Sequence, residues 1–318
     1  MKKITSSFII VAALVFSLFF TNTPASAKVY WDGVELKKGQ IGRLLVVKDT
    51  QLYKLSGSQK TPARTLKAGE KYRIYTFLPG KLGLGGGYYV DRNNSVKYET
   101  PSKVKLQALG VKIVEKEYKG TIKYPQVVSL VSSTAKDKIN ATIEKHIRDS
   151  YNSLMALEES EYEDQQNYED EYGYPVPEDE KWMYTYEYEV SYSVKYNENN
   201  QLSVLIYDYM YTGGVHGMSH VTSYNFDCLT GNEIKLTDVA KTRSALTKIK
   251  NYAKVDLLNQ HGRGQVYIFE EDLDRITIDN DRPFYFTSNG IKVKFGEYEV
   301  ASYSEGMPEA NIPYSVFR

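Results

Sequence analysis

Two histidines, His216 and His220, fall within and just after the tract Tyr211 to Gly217, which reads YTGGVHG, and Ser219, Asp227 and the lone cysteine Cys228 follow closely. An offset of four converges two imidazoles on a metal when both ride one helix, as in H-E-x-x-H zinc sites. Here the flanking pattern is strand and turn, where the same offset separates side chains by about 13 Å. Position 217 is also glycine where a zinc hydrolase would carry its catalytic glutamate. A bend at Gly217 closing on Asp227 would be needed. Ser219, His216 and Asp227 contain the residue types of a serine hydrolase, but G-x-S-x-G is missed because Val221 stands where its last glycine belongs. Cys228 lies in a strand-to-turn stretch, the setting of a small buried hydrophobe rather than a thiolate nucleophile. A retaining glycosidase needs two carboxylates held about 5 Å apart, and the many acids of Glu158 to Glu180 have no frame to fix them. These residues specify no catalytic set, metal ligand or cofactor. The expectation is a non-enzymatic protein, with a metal-assisted hydrolase of cell-wall material as the alternative.

Gly213 and Gly214 open backbone conformations closed to other residues, so the turn can present His216 at a strand end. The candidate ligand-binding set is Tyr211, Gly213, Gly214, His216, His220 and Tyr224. A competing reading makes the turn structural, locked by a hydrogen bond from His216. Alternation places Tyr207, Tyr209 and Tyr211 on one face of their strand.

These residues need a sheet to hold them. Tyr184 to Tyr196 alternates in period two, and Gln201 to Tyr211 continues after a turn at Asn199 and Asn200, which predicts a hairpin. A third strand covers Val221 to Phe226. Upstream, Val111 to Tyr124 reads as a strand ending at Pro125. Ser133 or Thr134 can cap a helix whose stripe is Ile139, Ile143, Ile147, Tyr151 and Leu154, with Asp137 completing a capping box on Thr134. His146 beside that stripe reads as a partly buried, hydrogen-bonded core histidine. A second helix begins near Thr237 or Asp238, buries Leu246, Ile249, Tyr252 and Ala253, and ends at Gly262. Asn289–Gly290 turns a hairpin between Phe284–Phe286 and Ile291–Phe295, and a last strand covers Ile312 to Phe317. Strand clusters and helices without regular alternation give α+β with an antiparallel sheet and two main helices.

Glu158 to Glu180 holds eleven Asp and Glu and no Lys or Arg. By itself such a segment cannot bury enough apolar surface to order, so a mobile acidic loop is expected. Its tyrosines make it a candidate arm for a cationic protein partner. The Asp-x-Asp-x-Asp-Gly calcium spacing is missing from it.

The amino terminus has Lys2 and Lys3, an apolar run from Phe8 to Phe20, and Ala25-Ser26-Ala27. This is the pattern of a secretory signal peptide over residues 1–27, too short to span a bilayer, and it implies a secreted or wall-associated protein with no stable membrane insertion after cleavage. One cysteine permits no intramolecular disulfide. The net charge of zero hides opposed halves. Lys28 to Lys105 holds sixteen Lys and Arg against six Asp and Glu, and Leu106 to Arg318 holds twenty-two against thirty-four. A basic module of residues 28–106 attracts polyanions; on an exported protein these would be peptidoglycan or teichoic acid rather than nucleic acid. Solubility alone is the competing account. Short alternations at Gly42–Val47, Lys71–Phe77 and Tyr88–Val90 make this module all-β, a small barrel. The glycines of LGLGGGYYV read as a tight corner, since no Lys-Ser/Thr pair follows to make a phosphate loop.

WDGVELKKGQIGRL, LKAGEKYRIY and LGLGGGYYV resemble SH3-like modules of exported Gram-positive proteins, which implies surface attachment. KYPQVVSLVSSTAKDKINATIEKHI, YTGGVHG with SYNFDCLTGNEIKLTDV, and FYFTSNGIKVKFGEYEVASYSEGMPEANIPYSVF together resemble the extracellular domain pair shared by the anti-sigma-V factor and the non-catalytic region of the peptidoglycan deacetylase PdaC. That resemblance spans about Val111 to Arg318, so residues 107–318 form the second unit. It implies an envelope-facing binding scaffold, with Tyr211, Gly213, Gly214 and His216 in the family's glycine-histidine turn, and lysozyme or another cationic protein as partner.

Overall fold

The computed structural model describes residues 28–318; residues 1–27, expected to be a signal peptide, lie outside the described residues. Among these, no helix is long and apolar enough to cross a membrane.

The amino-terminal unit is strand-rich. A short hairpin, β1 (Tyr30–Trp31) and β2 (Val34–Glu35), precedes β3 (Gly42–Val46), β4 (Thr50–Ser56), β5 (Gln59–Leu66) and β6 (Lys71–Ile74). Then come β7 (Thr76–Leu78), β8 (Lys81–Gly85), β9 (Tyr88–Asp91) and β10 (Val96–Glu99). They form a sheet in the order β10-β3-β6 and another in the order β5-β4-β9-β8-β7. The stretch expected as one strand at Lys71–Phe77 breaks into β6 and β7, at Tyr75, whose N–H donates to the Gly83 carbonyl at 2.8 Å. Leu44, Leu66, Ile74, Leu82 and Val90 close the core. Gly85, Gly86 and Gly87 all have positive φ, so the glycine run is the corner between β8 and β9.

The short helix α1 (Lys103–Gln107) leads into the second unit, which starts with a hairpin rather than a single strand: β11 (Lys112–Tyr118) and β12 (Ile122–Ser129). Lys119 and Gly120, both at positive φ, make the turn, and Pro125 sits inside β12 opposite Glu115. Helix α2 runs Ser133–Tyr172, forty residues or about 60 Å. Its cap is Ser132, whose hydroxyl accepts from Ala135 N, one residue earlier than expected. Ala135, Ile139, Ile143 and Ile147 are buried on its inner stripe.

Most of the expected mobile acidic loop, Glu158 to Tyr172, is instead the distal end of α2, and only Gly173 to Glu180 lies outside the helix. Ala, Leu, Met, Glu and Gln propagate a helix, and no glycine or proline interrupts it before Gly173, which ends it at φ 76°. Order comes from a later segment, the 3-10 turn Lys181–Tyr184. Gln165 Nε2 donates to the Tyr184 carbonyl at 2.7 Å, Tyr186 Oη donates to Asp164 at 2.6 Å, and buried Tyr168 meets Tyr184 edge to face.

Strands β13 (Glu187–Glu198), β14 (Gln201–Tyr211) and β15 (Met218–Asp227) form an antiparallel sheet in that order. Asn199 and Asn200, at φ 53° and 59°, make the primed turn. Helices α3 (Leu236–Val239) and α4 (Arg243–Gly262) follow. Thr242, not Thr237 or Asp238, caps α4. Its inner stripe is Ala245, Ile249, Ala253 and Leu257, while Tyr252 turns outward. A final sheet, β16 (Phe284–Phe286), β17 (Gly290–Lys294) and β18 (Glu309–Pro313), is closed by α5 (Tyr314–Phe317), so the expected last strand Ile312 to Phe317 is mostly helix, with only its first two residues in β18.

Strand β14 is the centre of the second unit. Leu202, Val204 and Ile206 face α2 and β12, whereas Ser203 and Leu205 face β16. The edge of β16 would leave buried amides unpaired. Ser223 Oγ accepts from Phe284 N and Ser203 Oγ from Phe286 N, both at 3.1 Å, and Asn225 Nδ2 donates to Phe284 O at 2.9 Å. Helix α4 covers the remaining face of the β16-β17-β18 sheet with Ile249, Ala253 and Leu257 against Ile291, Val293 and Ile312. The unit is α+β with antiparallel sheets.

Candidate ligand-binding surface

The link between β14 and β15 carries Gly213 at φ 83° and Gly214 at φ 101°. A Cβ on Gly213 would collide with the Met183 carbonyl oxygen, so the glycine lets this turn press against the 3-10 turn Lys181–Tyr184. Tyr211 Oη donates to the Gly214 carbonyl at 3.0 Å and lies 3.3 Å from the Trp182 carbonyl. Gly217 is buried, and a Cβ there would enter the Tyr209 ring.

His216 leaves this loop with both ring nitrogens engaged. Nδ1 donates to the Gly217 carbonyl at 2.9 Å, which leaves Nε2 to accept from Tyr298 Oη at 2.8 Å. Its ring lies on Tyr303 with centroids 3.8 Å apart and planes 16° apart. Tyr298, held at φ 60°, is 48% exposed, and Val215 at the loop tip is fully exposed. Glu297 accepts from Ser219 N at 2.9 Å and tethers the Tyr298 segment to β15. Burial, with the charge of Glu297 second, pushes the Tyr303 phenol above its ordinary value, so it remains a neutral hydroxyl. Exposed Trp182, Met183, Met210 and Met218 lie on and beside the neighbouring strand ends. Such a surface offers flat apolar area with polar tips.

Of the six residues marked in the sequence, Tyr211, Gly213, Gly214 and His216 come together here. His220 and Tyr224 do not. His220 pairs with Asp208 in register on the α2 side of β15, away from Tyr303. Tyr224 contacts His146. Tyr207, Tyr209 and Tyr211 occupy alternate positions of β14 and so share a face, the one turned towards β16 and the glycine turn. Sequence reading missed Tyr298 and Tyr303, which are 82 and 87 positions beyond His216; only tertiary structure joins them.

A second polar cluster lies under α2. His146 Nε2 is 2.9 Å from Asp208 Oδ2, and its Nδ1 is 3.0 Å from Tyr224 Oη. Ser150 Oγ and Tyr188 Oη donate to Asp208 Oδ1 at 2.6 and 3.0 Å. His146 and Asp208 expose 13% of each side chain. Cys228 is buried, and burial pushes its thiol up to about 12, so the sulfur stays protonated. Among the described residues no group of three or more His, Cys, Asp or Glu is placed to hold a metal ion.

Residues 112–219 match the family model described as Deacetylase PdaC, and residues 237–315 match a protein family of unknown function, DUF3298. The crystal structure of a DUF3298 family member from Bacteroides fragilis NCTC 9343 is similar at 20% identity, over 64% of this chain and 89% of that one, with a TM-score of 0.44. A DUF3298 family protein from Pseudomonas aeruginosa PAO1 is similar at 15% identity, over 64% of this chain and 90% of that one, with a TM-score of 0.42. No curated protein matches the chain. The aromatic surface draws on both matched stretches, His216 lying in the one similar to PdaC and Tyr298 and Tyr303 in the one similar to DUF3298.

Proposed function

We propose that the chain is a secreted, non-enzymatic cell-envelope binding protein: a basic amino-terminal module on wall polymer, and an α+β unit that takes an extracellular ligand on the aromatic surface around His216. The stacking of His216 on Tyr303, with Tyr298 hydrogen-bonded to Nε2 of the same ring, carries this reading. A ring fixed by two hydrogen bonds and a stack is pre-organised for recognition. The same hydrogen bonds occupy both nitrogens, which suits display better than proton transfer. Co-sedimentation of the mature full-length protein with purified cell wall is the test. Recovery in the pellet, reduced in a His216→Ala/Tyr303→Ala variant of unchanged Tm, supports both parts. A wild-type protein that stays in the supernatant removes wall attachment.

A second reading rests on the acidic half of α2. Tyr162 and Tyr172 on it, and Tyr174 just past its end, are more than half exposed among carboxylates, on a segment already ordered by Tyr184 and Tyr186. This suits a cationic protein such as lysozyme, because the acids steer association and little chain entropy is lost on docking. Calorimetry with lysozyme decides it: heat at low salt, weakened by added salt and by Glu→Gln changes at 158, 159, 161 and 163, is expected. No heat at low salt removes this reading.

A further inference from the structure

The first unit has its own groove. About 800 Å³ of space lies beside the β1–β2 hairpin and the sheet β10-β3-β6, lined by Trp31, Val34, Leu45, Lys71, Arg73 and Lys97 among others. The sheet register sets out its charges in two rows. Lys97, Leu45 and Lys71 stand side by side across β10, β3 and β6, and Glu99, Arg43 and Arg73 form the next row on the same face.

Arg43 is already committed. Its guanidinium contacts Asp32 at 2.8 Å and Glu99 at 2.6 Å and lies 4.3 Å over the Trp31 ring, which pins the hairpin to the sheet. Lys71 and Lys97 are exposed on either side of Leu45 and have no carboxylate partner among the described residues. Arg73 is within electrostatic range of Glu35, but Glu35 is held by Lys37 at 2.9 Å and Lys28 at 3.8 Å. Lys71 and Lys97 therefore line one open groove without a salt-bridge partner, Arg73 beside them shares Glu35 with Lys28 and Lys37, and the edge strands that carry them stand about 10 Å apart. Like charges at this spacing attract an anionic chain more than a single small anion, because they stand on two strands and two rows and do not converge.

We propose that this groove binds a linear phosphodiester polymer without bases, of the polyol-phosphate kind, with Lys71, Arg73 and Lys97 on successive phosphates and Leu45 beneath the linking carbons. A nucleic acid would gain from open aromatic faces. Here the Trp31 ring is covered by Arg43, and Tyr72 and Tyr98 pack into the core. The inference rests on the wall-polymer reading of the basic module and gives that reading a site.

The probe is a defined glycerol-phosphate oligomer titrated into the mature full-length protein. Binding is expected with a slope of log affinity against log salt of about −2, the value for three phosphate contacts. Lys71→Glu/Lys97→Glu should lower affinity at least tenfold, whereas Lys48→Glu/Lys103→Glu, an equal charge change at exposed positions outside the groove, should leave it within twofold. Neither pair contacts the core, and circular dichroism melts verify this. Equal loss in both variants, no binding by wild type, or equal affinity for single-stranded DNA at the same salt overturns the groove assignment. Wall pelleting is measured in parallel. Protein that pellets but ignores the oligomer removes the groove and leaves wall attachment standing; protein that binds the oligomer but does not pellet removes wall attachment alone.

Discussion

His146 Nε2 meets Asp208 Oδ2 across 2.9 Å and ties the middle of α2 to the central strand of the sheet. Burial alone would raise the Asp208 carboxyl, but hydrogen bonds from His146, Ser150 and Tyr188 outweigh it and hold the group below its ordinary value. A depressed carboxylate stabilises the fold above its unfolded value, near pH 4, and that contribution is lost as pH falls through the lower folded value. Asp208→Asn should therefore cost about 2–4 kcal/mol at pH 7 and flatten the loss of stability below about pH 4, as read from urea melts across pH.

Gly213 and Gly214 both sit at positive φ but differ in surroundings. Nothing lies within 4 Å of a Cβ on Gly214, while one on Gly213 meets the Met183 carbonyl. Gly214→Ala should cost only the backbone term, about 1–2 kcal/mol, and Gly213→Ala about 1–3 kcal/mol more. Equal losses in denaturant melts would contradict the close approach.

Tyr168 is the buried anchor of the distal half of α2. Tyr168→Ala should release the last turns, so that amide exchange accelerates in residues 161–172 but not around Ile139 to Ile147. Hydrogen-exchange mass spectrometry reads this directly.

At the aromatic surface, Tyr298→Phe removes only the hydroxyl that His216 Nε2 accepts. It should cost about 1 kcal/mol or less in stability. Ligand affinity should fall severalfold in the same variant when measured well below its Tm.

Much of the scaffold was readable because it is written locally. The Asn199-Asn200 turn, the Asn289-Gly290 hairpin and the stripe Ile139, Ile143, Ile147 each depend on neighbours within a few positions. The acidic half of α2 was misread because Tyr184 and Tyr186, on a later segment, supply its order. Pro125 misled the strand ending because a two-stranded sheet tolerates a proline where a central strand would not. For the surface, the glycine turn was visible, but its partners at 298 and 303 carry no sequence mark linking them to His216.

Gln107 ends α1 with its side-chain amide buried in the second unit. Its Oε1 accepts from Val131 N at 2.7 Å, and its Nε2 donates to Asn200 Oδ1 at 3.0 Å and Cys228 O at 3.2 Å. The connector is therefore a plug, not a tether. Truncation at Val111, just before the β11–β12 hairpin, would strand three polar groups, so a fragment meant to report on the second unit should start before Ser102.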